Sequence, residues 1–193
     1  MTSTENKLAV HNLIEKRWSP RAFAGTAVGV EQLEALFEAA RWAPSAMNEQ
    51  PWRFIYATQE DPEAYDRLLN CLVEANQVWA KNAPVLFLSV AKKTYDLNGN
   101  VNGHAWHDVG MATANLVLQA TDLDLHVHLM GGFSADKARQ VLEIPDGFEP
   151  VTMGAIGYIG DPEALPEHLK ARELSPRQRK PLHDIVFNGT WKQ

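Results

Sequence analysis

Two short stretches at opposite ends of this 193-residue chain concentrate cationic and hydroxyl groups. Near the start, "KRWSPRAF" carries Arg17, Ser19 and Arg21; near the end, "SPRQRKPL" carries Arg177, Arg179 and Lys180. Guanidinium groups grip phosphate oxygens through two parallel hydrogen bonds, and a hydroxyl or backbone amide from the same loop completes such a cradle. Taken singly, each arginine reads better as solvated surface charge, so spacing alone raises phosphate binding without establishing it.

Other chemistry is missing from the sequence. No G-x-x-x-x-G-K-[ST] phosphate loop occurs, and "GAIGYIG" has the wrong glycine spacing for a dinucleotide fingerprint and opens no helix. A nicotinamide, if used, is not held by a Rossmann site. There is no G-x-S-x-G elbow, and Ser45 sits between Pro44 and Ala46 without an evident base. His126 and His128 share a strand spacing that some metal sites use, but a third ligand is lacking; they read as partly exposed strand histidines, and no metal is expected. Cys71 lies in a helical pattern with no His or cationic cluster to lower its pKa, which makes it a packing residue. A chain with phosphate-binding candidates but no convincing nucleophile, base or metal points to a bound cofactor that carries the chemistry.

Composition sets the frame for these residues. Hydrophobic residues make up 45% and charged residues 22% of the chain, the balance of a globular protein, and the length suits one domain spanning residues 1–193. A net charge of -6 argues against nucleic acid or an anionic membrane as partner. No apolar run reaches the length of a membrane span, "MTSTENKLAV" lacks the pattern of a secretory signal, and the single cysteine leaves no internal disulfide; a cytoplasmic location is expected.

The elements that must position the candidates follow from periodicity. Val10, Leu13, Ile14 and Arg17 fall at helical spacing, placing Arg17 at the end of a first helix, and "SPRAFAGTAVG" reads as an irregular loop. Leu33, Leu36, Phe37 and Ala40 share one face of a second helix, which Pro44 stops. "RFIYAT" predicts a strand, "YDRLLNCLVEANQVW" one helix, and the unbroken apolar run "APVLFLSVA" a strand buried on both faces. The polar segment Lys92 to Gly103 predicts a loop or lid. A long helix follows, with Val109, Ala112, Leu116, Val117 and Ala120 aligned and small residues that permit close approach of a neighbour. "DLHVHLMGGF" predicts a strand ending in a glycine pair, and Ser134 caps a short helix closed by Pro145. "VTMGAIGYIG" predicts a strand whose glycines would admit another backbone or a planar ligand. The order is α+β.

With these elements in place, the chain resembles the nitroreductase-like family of flavin mononucleotide (FMN) oxidoreductases over nearly its whole length. "KRWSPRAF" is similar to the family's R-x-S-x-R motif, "APSAMNEQPWRF" to its A-P-S-x-x-N-x-Q-P-W-x-F signature, "HDVGMATANLVLQA" to its central helix, "MGGF" to the turn beside the flavin, and "PRQRKPLHDIVF" to its C-terminal phosphate clamp. The resemblance implies a mostly antiparallel central sheet flanked by helices, in a homodimer with a C-terminal extension and FMN in the subunit interface.

It further implies that Arg17, Trp18 and Ser19 meet the phosphate and ribityl end, that Arg177 and Arg179 close over the phosphate, and that Arg21 lies near the N1 and O2 edge of the ring. Met130, Gly131 and Gly132 would approach the N5 and O4 side, with Asn76 at a ring edge. Pro44, Ser45, Met47, Asn48 and Gln50 would reach the flavin of the other subunit. The implied activity is reduction of small organic acceptors, such as nitroaromatics or quinones, with NADH or NADPH as donor and no catalytic side chain. The same fold also serves enone or semialdehyde reduction, reductive dehalogenation or dehydrogenation, and a flavin-binding protein without turnover is the alternative outside catalysis.

Overall fold

The structure, a computed structural model, describes residues 10–191; the reading of the first nine residues as lacking a signal lies outside them. The helices are α1 (Asn12–Lys16), α2 (Val30–Arg41), α3 (Pro62–Leu69), α4 (Glu74–Ala80), α5 (Ala105–Asp122), α6 (Ala135–Val141) and α7 (Glu167–Glu173). The strands β1 (Trp52–Thr58), β2 (Val85–Lys92), β3 (His126–Met130) and β4 (Phe148–Gly157) form one sheet in the order β1-β2-β4-β3, every pair antiparallel. This is an α+β fold.

The apolar run of β2 is the hub. Residues alternate sides along a strand: Leu86, Leu88 and Val90 pack with Leu68, Tyr65 and Trp79 of α3 and α4. Val85, Phe87 and Ala91 face the other way, against Leu36 of α2 and Leu116 of α5. Helices on both faces explain why an antiparallel strand here carries no polar alternation. In α5, Val109, Ala112, Leu116 and Ala120 are all fully buried, as the periodicity predicts.

Two expectations change. The single helix across "YDRLLNCLVEANQVW" is two, broken at residues 70–73, because backbone pairing with the turn after β3 competes with the helix. Val73 N–H donates to the Gly132 carbonyl at 3.0 Å, Ser134 N–H donates to the Cys71 carbonyl at 2.8 Å, and Leu72 bridges Phe133. Helical spacing of the side chains persists through the break, which is why the pattern misses it. Cys71 itself is buried, and burial pushes its thiol up. Also, α1 begins at Asn12, capped by the His11 ring, so Val10 precedes the helix.

The glycines of β4 and its exit make room for the chain's own atoms. Gly154 stands directly across from Phe87, and a Cβ there would lie 2.1 Å from that ring; one at Gly157 would lie 2.6 Å from Pro84, and one at Gly160 2.5 Å from the Phe23 backbone. The close backbone approach is therefore real at Gly160, whereas the room imagined for a planar ligand is taken by Phe87 and Pro84. Because Phe87 is fully buried, Gly154→Ala is expected to cost about 2–3 kcal/mol through overpacking, a fall of roughly 4–12 °C in melting temperature measurable by calorimetry. An unchanged melting temperature would refute the packing argument.

Candidate functional site

The cationic residues from the two ends of the chain meet. Arg17 ends α1, with its N–H bonded to Leu13 O at 3.0 Å, and its guanidinium donates to Ser19 Oγ at 2.8 Å. From the C-terminal arm, Arg177 donates to the Arg17 carbonyl at 2.8 Å and lies over the Trp18 ring, 5.8 Å from its centroid. Burial, then Arg179, then Arg177 push the Arg17 guanidinium below its ordinary pKa, so all three arginines are electrostatically close. None of the three enters an ion pair among the described residues. Cations held together without a carboxylate fit a phosphate dianion, which would relieve their mutual repulsion.

Arg21 has a different environment. Its own N–H donates to both oxygens of Glu173 at 2.9 and 3.0 Å, Ala22 N–H donates to Glu173 Oε1 at 3.3 Å, and its guanidinium lies 3.8 Å from Glu173 Oε2. Glu173, at the end of α7, is buried and was absent from the sequence-derived set. The sole sequence hint is its place four residues before Arg177, since nothing local marks a glutamate as buried.

His128 supports the same loop from below. Its Nδ1 is 2.9 Å from the Pro20 carbonyl, so that nitrogen carries the proton, and its ring packs tilted against Trp79, with centroids 4.5 Å apart. His126, read as partly exposed, is buried, with an Nδ1 that has no partner among the described residues; its strand face is covered. Burial drives the His128 pKa down to about 4, below an ordinary value of 6.5. The unfolded chain therefore binds a proton that the folded one refuses between these values, so stability is complete above pH 6.5 and falls as pH drops towards 4, by on the order of 3 kcal/mol. Urea midpoints across this range should slope downward with acid, and His128→Asn should flatten the slope; an equal slope in the variant would place its origin elsewhere.

The glycine pair after β3 lies beside Asn76. Asn76 Nδ2 donates to the Gly132 carbonyl at 3.1 Å, and a Cβ on Gly132 would strike that amide at 2.7 Å. Gly131 is open, and Met130 is buried beneath it.

The Pro44 to Gln50 turn holds three of the five positive-φ non-glycine residues among the described residues. Met47, Asn48 and Gln50 have φ of 55, 54 and 50°, the left-handed region that side chains disfavour. Three anchors hold it. The buried Asp108 of α5 accepts from Ala46 N–H at 3.0 Å, Ser45 Oγ accepts from Gln50 N–H at 3.0 Å, and Glu49 pairs with Lys92 at 3.1 Å while accepting from Asp96 N–H at 2.9 Å. The last contact ties in the segment expected as a lid, which is a closed hairpin with Thr94 bridging Val101. Asp108 is a second residue that sequence reading missed. The strain presents Met47, 80% exposed, and Asn48 outward; the Gln50 carbonyl accepts from Arg53, and among the described residues none of the turn's hydrogen bonds reaches Arg17, Arg21, Arg177 or Arg179.

A groove of about 400 Å³ runs from Ile14, Arg17 and Ser19 along Gly110 and Ala114 of α5 to Leu129 of β3. Trp106, Gly110 and Ala114 recur every four residues on the outer face of α5 and are exposed. The arginine cradle thus borders an uncovered apolar surface.

A four-stranded antiparallel sheet sheathed by helices, with an R-x-S-x-R loop clasped by a C-terminal arm, defines a nitroreductase fold. The chain belongs to the nitroreductase family, whose sequence model matches residues 14–158, and is thereby an oxidoreductase. A crystal structure described as "the oxidoreductase containing FMN" superposes with a TM-score of 0.91 at 39% identity, covering 100% of this chain and 99% of that one. A nitroreductase family protein of Clostridium difficile 630 superposes at 0.72 with 28% identity, over 93% of this chain and 97% of its own. A protein of Polynucleobacter asymbioticus named "Putative NADH dehydrogenase/NAD(P)H nitroreductase" is 27% identical, over 95% of this chain and 97% of its length. No helix among the described residues is long and apolar enough to cross a membrane.

Proposed function

We propose that this chain forms a homodimeric FMN-dependent NAD(P)H oxidoreductase that reduces small organic acceptors of the nitroaromatic or quinone type. The observation that carries the proposal is that Arg177 of the C-terminal arm bonds the Arg17 carbonyl, with Arg179 near enough to lower the Arg17 pKa and none of the three in an ion pair among the described residues. The FMN in the similar crystal structure, and the NAD(P)H in the name of the Polynucleobacter relative, support it.

In this reading Arg17, Ser19, Arg177 and Arg179 bind the phosphate, and Trp18 backs Arg177. Arg21 lies by the N1 and O2 edge, where a fixed cation favours the negative charge that reduction brings. Met130, Gly131, Gly132 and Asn76 border the N5 side. The strained turn of a second copy, from Pro44 through Ser45, Met47 and Asn48 to Gln50, walls the ring and excludes water. FMN, when bound, supplies the hydride chemistry, so these side chains bind, orient and shield without acting as acid or base.

The test is anaerobic stopped-flow of the purified yellow protein with NADH and NADPH, then with a panel of nitroaromatics, quinones, enones and halophenols. Rapid bleaching and reoxidation by nitroaromatics or quinones is expected. A colourless protein that takes up no added FMN removes the reading, and bound flavin that neither nicotinamide bleaches makes this a flavin-binding protein instead.

A further inference from the structure

We propose that Glu173 is a positioning residue that locks the loop of Arg17, Ser19 and Arg21 to the C-terminal arm, so that cations from the two ends of the chain form one phosphate cradle. The inference rests on the flavin reading for its ligand and on geometry for its mechanism.

A carboxylate with a side chain only 5% exposed is costly to bury, and it is retained only where donors surround it. Here the donors are the N–H groups of Arg21 and Ala22, supplemented by the Arg21 guanidinium. The contact spans 152 positions of sequence and joins the last residue of α7 to the loop that follows α1. Four residues beyond Glu173 the chain reaches Arg177, and from there the arm is exposed. Beyond α7 the arm meets the loop through Arg177, which bonds the Arg17 carbonyl and lies over the Trp18 ring. Glu173 therefore fixes where the arm departs, and through it where Arg177 and Arg179 stand relative to Arg17.

Charge and position make opposite predictions, which makes the role testable. An acidic group near a phosphate site disfavours the anion, so neutralising Glu173 should tighten FMN if charge were all that mattered. If position matters more, Glu173→Gln weakens FMN. Its amide nitrogen would replace Oε2, standing 3.0 Å from Arg21 N–H, donor against donor, and the loop would shift.

The experiment compares full-length wild type, Glu173→Gln and Glu173→Asp by flavin fluorescence, measuring Kd for FMN and for riboflavin, which lacks the phosphate. The expected result is an FMN Kd raised about tenfold in Glu173→Gln, a riboflavin Kd changed less than twofold, and a smaller rise in Glu173→Asp, whose carboxylate is retained but withdrawn. In the flavin-free chain, trypsin should cut after Arg177 and Arg179 several times faster in Glu173→Gln. Unchanged or tighter FMN binding would overturn the proposal, as would equal weakening of both flavins, the mark of a merely structural support. Should Glu173→Gln fail to fold, Glu173→Asp carries the same comparison. Wild type that binds neither flavin would sink the flavin reading, and the trypsin comparison would still decide whether Glu173 holds the arm.

Discussion

Replacing Arg17 by alanine is expected to raise the Kd for FMN about 10–100-fold while leaving riboflavin binding within a few-fold of wild type. Arg17 is the central cation of the cradle: its side chain bonds Ser19, its carbonyl takes Arg177, and its charge is the one that Arg177 and Arg179 both press upon. A charge-assisted hydrogen bond contributes about 1.5–3 kcal/mol, and each 1.4 kcal/mol is tenfold in affinity, hence the range. The guanidinium has no acidic partner among the described residues, so its removal orphans no buried carboxylate, and the melting temperature of the flavin-free protein should move little. Fluorescence titration with both flavins, at two salt concentrations, checks the prediction. Because the contact is electrostatic, the deficit should shrink at high salt. If riboflavin is weakened as much as FMN, Arg17 is not reading the phosphate.

Gly110→Arg is expected to yield a folded protomer that neither dimerises nor keeps flavin. A Cβ at Gly110 meets nothing within 4 Å in a single chain. An arginine there would even favour the isolated helix over glycine, by somewhat less than the ~0.8–1 kcal/mol that separates glycine from alanine. Any loss must therefore come from what packs against α5 from outside. The small residues Gly110 and Ala114 line the apolar groove that begins at Arg17 and ends at Leu129, and Ile14, Trp106 and Leu129 are exposed around it. Large uncovered apolar patches mark interaction surfaces. If the proposed second copy packs on this groove, the bulk and charge of an arginine there would hold it off, and its Pro44 to Gln50 turn would not reach the proposed flavin site. Light scattering should show a monomer in place of a dimer, and absorbance less than a tenth of the wild-type flavin content. Gly110→Ala, adding one methyl group, is the control for helix effects. A dimeric, yellow Gly110→Arg would place the interface on another face.

Much of the framework around the candidate site was legible because it is local in sequence. Arg17 at a helix end, the glycine pair after β3 and the Pro44 that stops α2 each follow from a short pattern. The break between α3 and α4 was not legible, because backbone bonds from residues 132 and 134 decide it. Nor was the burial of His126, or the meaning of the glycines in β4, which depends on Phe87 standing opposite Gly154. Glu173 and Asp108 escaped for a common reason. A carboxylate earns a structural role by the backbone N–H groups it meets, and both meet loops distant in the chain, 152 and 62 positions away.

By itself the sequence determined the α+β order, the doubly buried β2, the buried face of α5 and the two arginine stretches, since periodicity and residue type are local properties. Only the tertiary structure decided that Arg177 reaches the Arg17 loop, that Arg21 pairs with a buried carboxylate whereas Arg17, Arg177 and Arg179 enter no ion pair among the described residues, and that the Pro44 to Gln50 turn is held in left-handed backbone by Asp108 and Glu49. The physical reason is that charge compensation and backbone hydrogen bonding are settled by which groups share space, and for these groups the partners lie dozens to more than a hundred residues apart.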